Sequence, residues 1–273
     1  MTDRLERRMR VEDGTSLSVT DWPVESPRGQ VLIVHGLGEH AGRYAKVARW
    51  LNDRGYSVRA YDQVGHGASE GPRGGLQGPH QLLDHLSTVF AATARDAGEL
   101  PVTLLGHSLG GLLVAAAVAA GRVRPHRLVL SSPALAVRMA AWQRLAVGWL
   151  PRLAPNLTLS NGLQPDYLSH DSAVVQAYRD DPLVHDRISA RLGAFVAFTG
   201  TDVLSRAPQW DLPTLLLYAG ADFLVDPVGS DRFAASAPPS AVTVHRFADL
   251  YHEIFNEVES APVYAALEDW LNR

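Results

Sequence analysis

The chain has 273 residues, of which 46% are apolar and 20% charged, enough to bury one substantial core and too apolar to stay disordered. Its formal net charge is −4 with acids and bases interspersed, which excludes the basic stripe that a nucleic-acid partner requires. It contains no cysteine, so disulfides, thiolate metal sites and cysteine nucleophiles are excluded as well.

At the N-terminus, MTDRLERRMR is charged and lacks the apolar segment of a secretory signal. The longest strongly apolar stretch, residues 112–120, is far short of the roughly 20 residues of a membrane span, and a cytoplasmic protein without a transmembrane segment is expected. Residues 4–10 and 15–22 flank Asp13-Gly14, a hairpin signal that predicts an antiparallel pair at the start of the sheet. Six short apolar runs follow at 31–35, 57–62, 102–106, 127–131, 214–218 and 242–247. Helical patterns at 41–54, 80–97 and 109–120 separate several of them. Buried strands alternating with helices predict an α/β fold: a mostly parallel eight-stranded sheet covered on both faces. The alternation breaks from 134 to 206, where helical patterns and the turn signals Pro151, Pro155 and Asn161-Gly162 occur without a convincing strand. A helical cap, residues 134–206, inserted into a core of residues 1–133 and 207–273, is therefore expected.

The strongest local signal is Gly106-His107-Ser108-Leu109-Gly110, a G-x-S-x-G between an apolar strand and an apolar helix. A sharp strand-to-helix turn lifts a serine hydroxyl clear of the sheet, and glycines two residues to either side leave room for strand and helix to approach. Ser108 is thus the candidate nucleophile. A serine at its ordinary pKa needs a base, and the base needs an orienting acid; on this architecture they follow in the order serine, acid, histidine. Asp222 comes after the run 214–218 and His252 after the run 242–247, at the strand ends where open α/β sheets place their sites. Asp226, beside Pro227, and Asp249 are the alternative acids. His245 lies inside a strand pattern rather than beyond its end, and Gly65-His66-Gly67 reads as a tight supporting turn.

HGLGEH, residues 35–40, brings two histidines and a carboxylate together. A helical H-E-x-x-H zinc site needs its histidines four apart on one helix face. Here they are five apart in a glycine-broken loop, so no metal or cofactor is expected.

Taken together, HGLGEHAGRY, YDQVGHGASEGPRG, GHSLGG, GADFLVD and YHEIFNE resemble, in order and over nearly the whole chain, the monoacylglycerol lipase and lysophospholipase branch (serine aminopeptidase S33-like) of the α/β-hydrolase superfamily. DPLVHDRISARL also resembles the cap of those enzymes. The resemblance implies an α/β-hydrolase fold and a serine ester hydrolase acting on monoacyl lipids, with Ser108, Asp222 and His252 as its triad. It implies further that the backbone N–H groups of Leu37 and Leu109 are the oxyanion donors, with Gly36 and Gly38 freeing the chain around Leu37. Glu39 and Arg43 would lie near the alcohol headgroup of the substrate. Where some members have a cysteine three residues after the acid, this chain has Val225, so thiol-directed inhibitors should have no effect. A general carboxylesterase, an acyltransferase and a non-hydrolytic ligand-binding member of the fold are the alternatives.

In the expected cap, Met139, Trp142, Leu145, Ala146, Trp149 and Leu150 recur at helical spacing. The stripe fits either a helix packed on the core or a rim that admits acyl chains or touches a lipid surface, where Trp142, Trp149 and Leu153 would serve, Trp142 and Trp149 as contacts to the substrate.

Overall fold

The structure is a computed structural model that describes residues 4–273; residues 1–3, which begin the charged N-terminal segment, lie outside the described residues. An eight-stranded sheet forms its centre, in the order β1-β2-β4-β3-β5-β6-β9-β10. Strands β1 (Leu5–Arg10) and β2 (Ser16–Trp22) form the expected antiparallel hairpin, and β2 pairs antiparallel with β4 (Tyr56–Tyr61). The other pairs are parallel, through β3 (Gly29–Val34), β5 (Val102–His107), β6 (Arg127–Ser131), β9 (Thr214–Ala219) and β10 (Val242–Phe247). The turn at Asp13-Gly14 puts Gly14 at φ 87°, and the Asp13 carboxylate accepts from the Thr15 N–H at 2.9 Å.

Each central strand feeds both faces because successive side chains alternate. Leu32 and Val34, Leu104, Leu128 and Leu130 join the core under α2 (Gln81–Ala97), α3 (Leu109–Ala119), α6 (Ala190–Arg206) and α7 (Val228–Ser236). Their neighbours Val31 and Ile33, Leu105 and Val129 join the opposite core under α1 (Ala45–Asn52) and α8 (Ala261–Leu271). At about 1.5–3 kcal/mol for each buried leucine, isoleucine or valine, this two-sided burial fixes strand register, since a slip of one residue would exchange the faces. Helix α3 is apolar on every side and fully buried along its first nine residues, Leu109 to Ala117, as expected of a helix held between the sheet and other helices. The pattern at 41–54 begins as a 3-10 turn, Ala41–Tyr44, before α1 takes over.

Between β6 and β9 lie α4 (Ala141–Leu153), α5 (Ser172–Asp180) and α6, with α4 against α6 and α6 packed on α3. One expectation is corrected in this stretch. It does contain strands: β7 (Thr158–Ser160) and β8 (Arg187–Ser189) form a small antiparallel sheet. With three residues each they are too short for a two-residue periodicity to register in the sequence.

Candidate active site

The turn from β5 into α3 holds Ser108 at φ 54° and ψ −119°, a region that side-chain-bearing residues rarely occupy. Its N–H donates to the Ser131 carbonyl and its own carbonyl accepts from Leu112 and Ala134, each at 3.0 Å, so the main chain is pinned from both sides. The glycine spacing has a direct steric cause. A Cβ on Gly106 would sit 2.4 Å from the Gly110 carbonyl oxygen, and one on Gly110 would sit 2.1 Å from that of Val34. Larger residues at either position would push α3 off the sheet and move Ser108 with it.

Beyond β9 and β10 two loops converge. A Cβ on Gly220 would meet the Ala248 carbonyl at 2.6 Å, and this close approach brings Asp222 and His252 into contact. The His252 Nδ1–H donates to Asp222 Oδ2 at 2.6 Å, with both residues buried. Asp222 Oδ1 accepts from the Leu224 and Val225 N–H groups at 2.9 and 3.0 Å. Burial opposes ionisation of Asp222, but the His252 contact and these N–H groups outweigh it and hold its pKa below the ordinary carboxylate range. Burial also opposes the imidazolium at His252, and there the Asp222 charge wins and raises the pKa. The alternative acids are elsewhere: Asp226 Oδ1 accepts from the Val228 N–H at the start of α7, and Asp249 is exposed. His245 lies on β10 beside the Phe247 ring.

Ser108 and His252 line one cavity of about 870 Å³, together with Leu37 and Leu109. That volume suits an extended small molecule. Among the described residues, no hydrogen bond engages the Ser108 hydroxyl, His252 Nε2, or the N–H groups of Leu37 and Leu109. Catalytic contacts are often this loose before substrate arrives.

The histidines of HGLGEH point to separate partners. His35 donates from Nδ1 to the Gly36 carbonyl at 2.8 Å and accepts at Nε2 from the Gln63 N–H at 2.9 Å, whereas His40 Nε2 meets Asp181 at 2.8 Å. No group of three or more His, Asp or Glu side chains among the described residues is arranged to hold a metal ion. Asp62, at the end of β4, ties this loop to the next by accepting from the N–H groups of Ala41 and Ala68, both at 2.8 Å. His66 is buried between the rings of His35 and His185.

Glu39 and Arg43 do line the cavity, but their charges are already engaged. Arg43 Nη1 donates to Glu39 Oε2 at 2.7 Å and to Glu253 Oε1 at 2.6 Å, and Nη2 donates to Glu253 Oε2 at 2.9 Å. Burial raises the Glu39 pKa, yet the Arg43 guanidinium prevails and brings it down to about 2. Sequence reasoning missed Glu253, which follows His252 directly, and His107, which precedes Ser108. The His107 ring lies 4.7 Å from that of His252, and its Nδ1 shares a 3.0 Å hydrogen bond with Ser131 Oγ. Burial and the neighbouring His252 push His107 down to about 3, which keeps it neutral.

The stripe on α4 divides rather than forming one buried face. Gln143, Ala146, Val147 and Leu150 line the cavity, while Trp142, Leu145, Trp149 and Leu153 are 71%, 65%, 59% and 79% exposed. Trp142 also reaches the cavity rim, whereas Trp149 lies outside it under the Arg152 guanidinium.

This sheet, with its serine elbow and an acid–histidine pair at the ends of successive strands, is the α/β-hydrolase fold. Residues 25–259 match the family model described as serine aminopeptidase, S33, and the chain belongs to that hydrolase family. A monoacylglycerol lipase of Mycolicibacterium smegmatis is 33% identical over 91% of this chain and 90% of its own length. An uncharacterized abhydrolase domain-containing protein of Dictyostelium discoideum is 32% identical over 95% of the chain, which spans only 28% of that relative. The crystal structure of the Paleococcus ferrophilus monoacylglycerol lipase superposes with a TM-score of 0.84 at 37% identity, covering 93% of this chain and 98% of that one.

Proposed function

We propose that this serine ester hydrolase of the monoglyceride lipase type cleaves monoacyl lipid esters through an acyl-enzyme on Ser108. The observation that carries the reading is His252, which is held by a buried hydrogen bond to Asp222 and lines the same cavity as the strained Ser108. Ser108 Oγ attacks the ester carbonyl as His252 Nε2 takes the hydroxyl proton. Asp222 fixes the Nδ1–H tautomer and stabilises the imidazolium. The N–H groups of Leu37 and Leu109 hold the oxyanion, each such donor contributing about 3–4 kcal/mol to the transition state. The tetrahedral adduct collapses, the ester C–O bond breaks, and the leaving alcohol takes the proton from His252. Water, deprotonated by His252, then attacks the acyl carbonyl; the bond to Ser108 Oγ breaks, Oγ takes the proton back from His252, and the fatty acid leaves. Nothing in these steps calls for a metal or a cofactor.

Residues 134–206 form the cap in this reading, with the inner side of α4 as acyl wall. The substrate class is tested by kcat/KM across monoacylglycerols, lysophospholipids and short aryl esters. Monoacylglycerols with medium chains should exceed p-nitrophenyl acetate at least about tenfold, since each methylene buried contributes about 0.8 kcal/mol. A preference for the short aryl ester would replace this reading with a general carboxylesterase. Adding a primary alcohol and finding its ester as the main product would replace it with acyl transfer.

No helix among the described residues is long and apolar enough to cross a membrane. The outward apolar row on α4 supports reversible contact with a lipid surface, its two tryptophans suiting the boundary between acyl chains and water. Trp149→Ser with Leu153→Ser should then weaken sedimentation with phosphatidylcholine vesicles and raise KM for vesicle-borne substrate, leaving soluble p-nitrophenyl butyrate unaffected. Equal sedimentation by wild type and variant would remove the membrane role.

A further inference from the structure

The two buried carboxylates around Arg43 do more than line a wall. Glu39 Oε1 accepts from the Gly36 N–H at 2.6 Å and from the Tyr44 hydroxyl at 2.7 Å, and Oε2 takes Arg43. Gly36 passes between Glu39 and the nucleophile: a Cβ there would lie 2.8 Å from Glu39 Oε1 and 3.2 Å from Ser108 Cβ. The residue after Gly36 is Leu37, whose N–H is the oxyanion donor in the reading above. On the far side, Arg43 grips both oxygens of Glu253, the residue joined covalently to His252. Asn256 Nδ2 adds a 2.9 Å hydrogen bond to Glu253 Oε2, and the Glu253 N–H donates to the Leu168 carbonyl at 2.8 Å. The Tyr178 ring covers the guanidinium, its centroid 4.8 Å from Cζ.

We infer that Glu39, Arg43 and Glu253 form a brace that locks the loop of the oxyanion donor to the loop of the catalytic histidine, so that Glu39 and Arg43 serve this enzyme as positioning residues for every ester it cleaves. The inference rests on the proposed roles of Ser108, His252 and the Leu37 N–H. Its geometric content is one unbroken run of hydrogen bonds from the Gly36 main chain, through two carboxylates and a guanidinium, to the residue next to His252. Both guanidinium nitrogens that face the carboxylates are committed to them, and Glu39 holds three donors. A group spent in this way positions its neighbours before any headgroup arrives. Removing one member leaves the other charges buried and badly paired, so the effect should spread to both loops.

The brace and a headgroup contact differ in which substrates they affect. Monoacylglycerol carries a polar alcohol and p-nitrophenyl butyrate does not. For Glu39→Gln and Arg43→Lys, the brace predicts a loss of kcat on the order of 10²-fold on both substrates, as for a misplacement of about 1 Å, with KM within about twofold. Labelling of Ser108 by an ethyl fluorophosphonate, which has no headgroup, should slow by a similar factor. Glu39→Ala, which also removes the acceptor for the Gly36 N–H, should be slower than Glu39→Gln. If Glu39→Ala does not fold, the two conservative variants, with their melting transitions recorded alongside, still decide. Loss confined to KM for monoacylglycerol would overturn the brace in favour of a headgroup contact. Unchanged rates on both substrates would overturn it outright. Wild-type protein that is not labelled at Ser108 would instead sink the serine mechanism, so the two failures are distinguishable.

Discussion

Ser108→Ala is expected to lower kcat for monoacylglycerol hydrolysis by on the order of 10⁶, the scale seen when a serine nucleophile is lost from a triad that acts as a unit. The fold should survive. The main-chain hydrogen bonds of residue 108 to Ser131, Leu112 and Ala134 do not involve the side chain, and the φ of 54° weighs on alanine as it does on serine. The melting midpoint should therefore stay within roughly 2 °C of wild type. Residual turnover only tenfold below wild type, measured on well-folded Ser108→Ala, would mean that another group attacks the ester.

Asp222→Asn should lower kcat by about 10⁴, because an asparagine amide favours the wrong imidazole tautomer and no longer stabilises the imidazolium. The pH profile gives the sign of the coupling. In the proposed mechanism His252 works as a base only when neutral, so the rate should fall on the acid side as the imidazole protonates. Its raised pKa puts that limb above the ordinary histidine value of 6.5 in the wild type. Burial lowers this pKa, while Asp222, Glu253 and Glu39 raise it, Asp222 most strongly. Removing the Asp222 charge should leave burial dominant and move the limb to lower pH, even as the plateau falls. A limb that stays in place in kcat/KM–pH profiles of the two proteins would show that Asp222 does not govern His252.

Much of this was legible in sequence because chemistry and topology share short spacings. The central strands announce themselves as apolar runs buried on both faces, and Gly106 and Gly110 are glycines because any Cβ would strike backbone. Asp222, Asp226 and Asp249 all follow β9 or β10; the family resemblance points to Asp222, and in the structure it is Asp222 that meets His252, where the two loops approach closely at Gly220. Glu253 stayed hidden because its compensating cation, Arg43, lies 210 residues away, and nothing local marks a glutamate as buried. Periodicity could place apolar residues on α4 but not orient the helix. Its packing against α6 decides that Ala146 and Leu150 face the cavity while Leu145 and Trp149 face outward.

The serine mechanism is tested most directly by mapping the adduct of a fluorophosphonate on the intact enzyme by peptide mass spectrometry, with and without saturating monoacylglycerol. The mechanism predicts one phosphonylated residue, Ser108, labelled in step with loss of activity and protected by substrate. An adduct on another residue, or full activity with Ser108 completely modified, would contradict it.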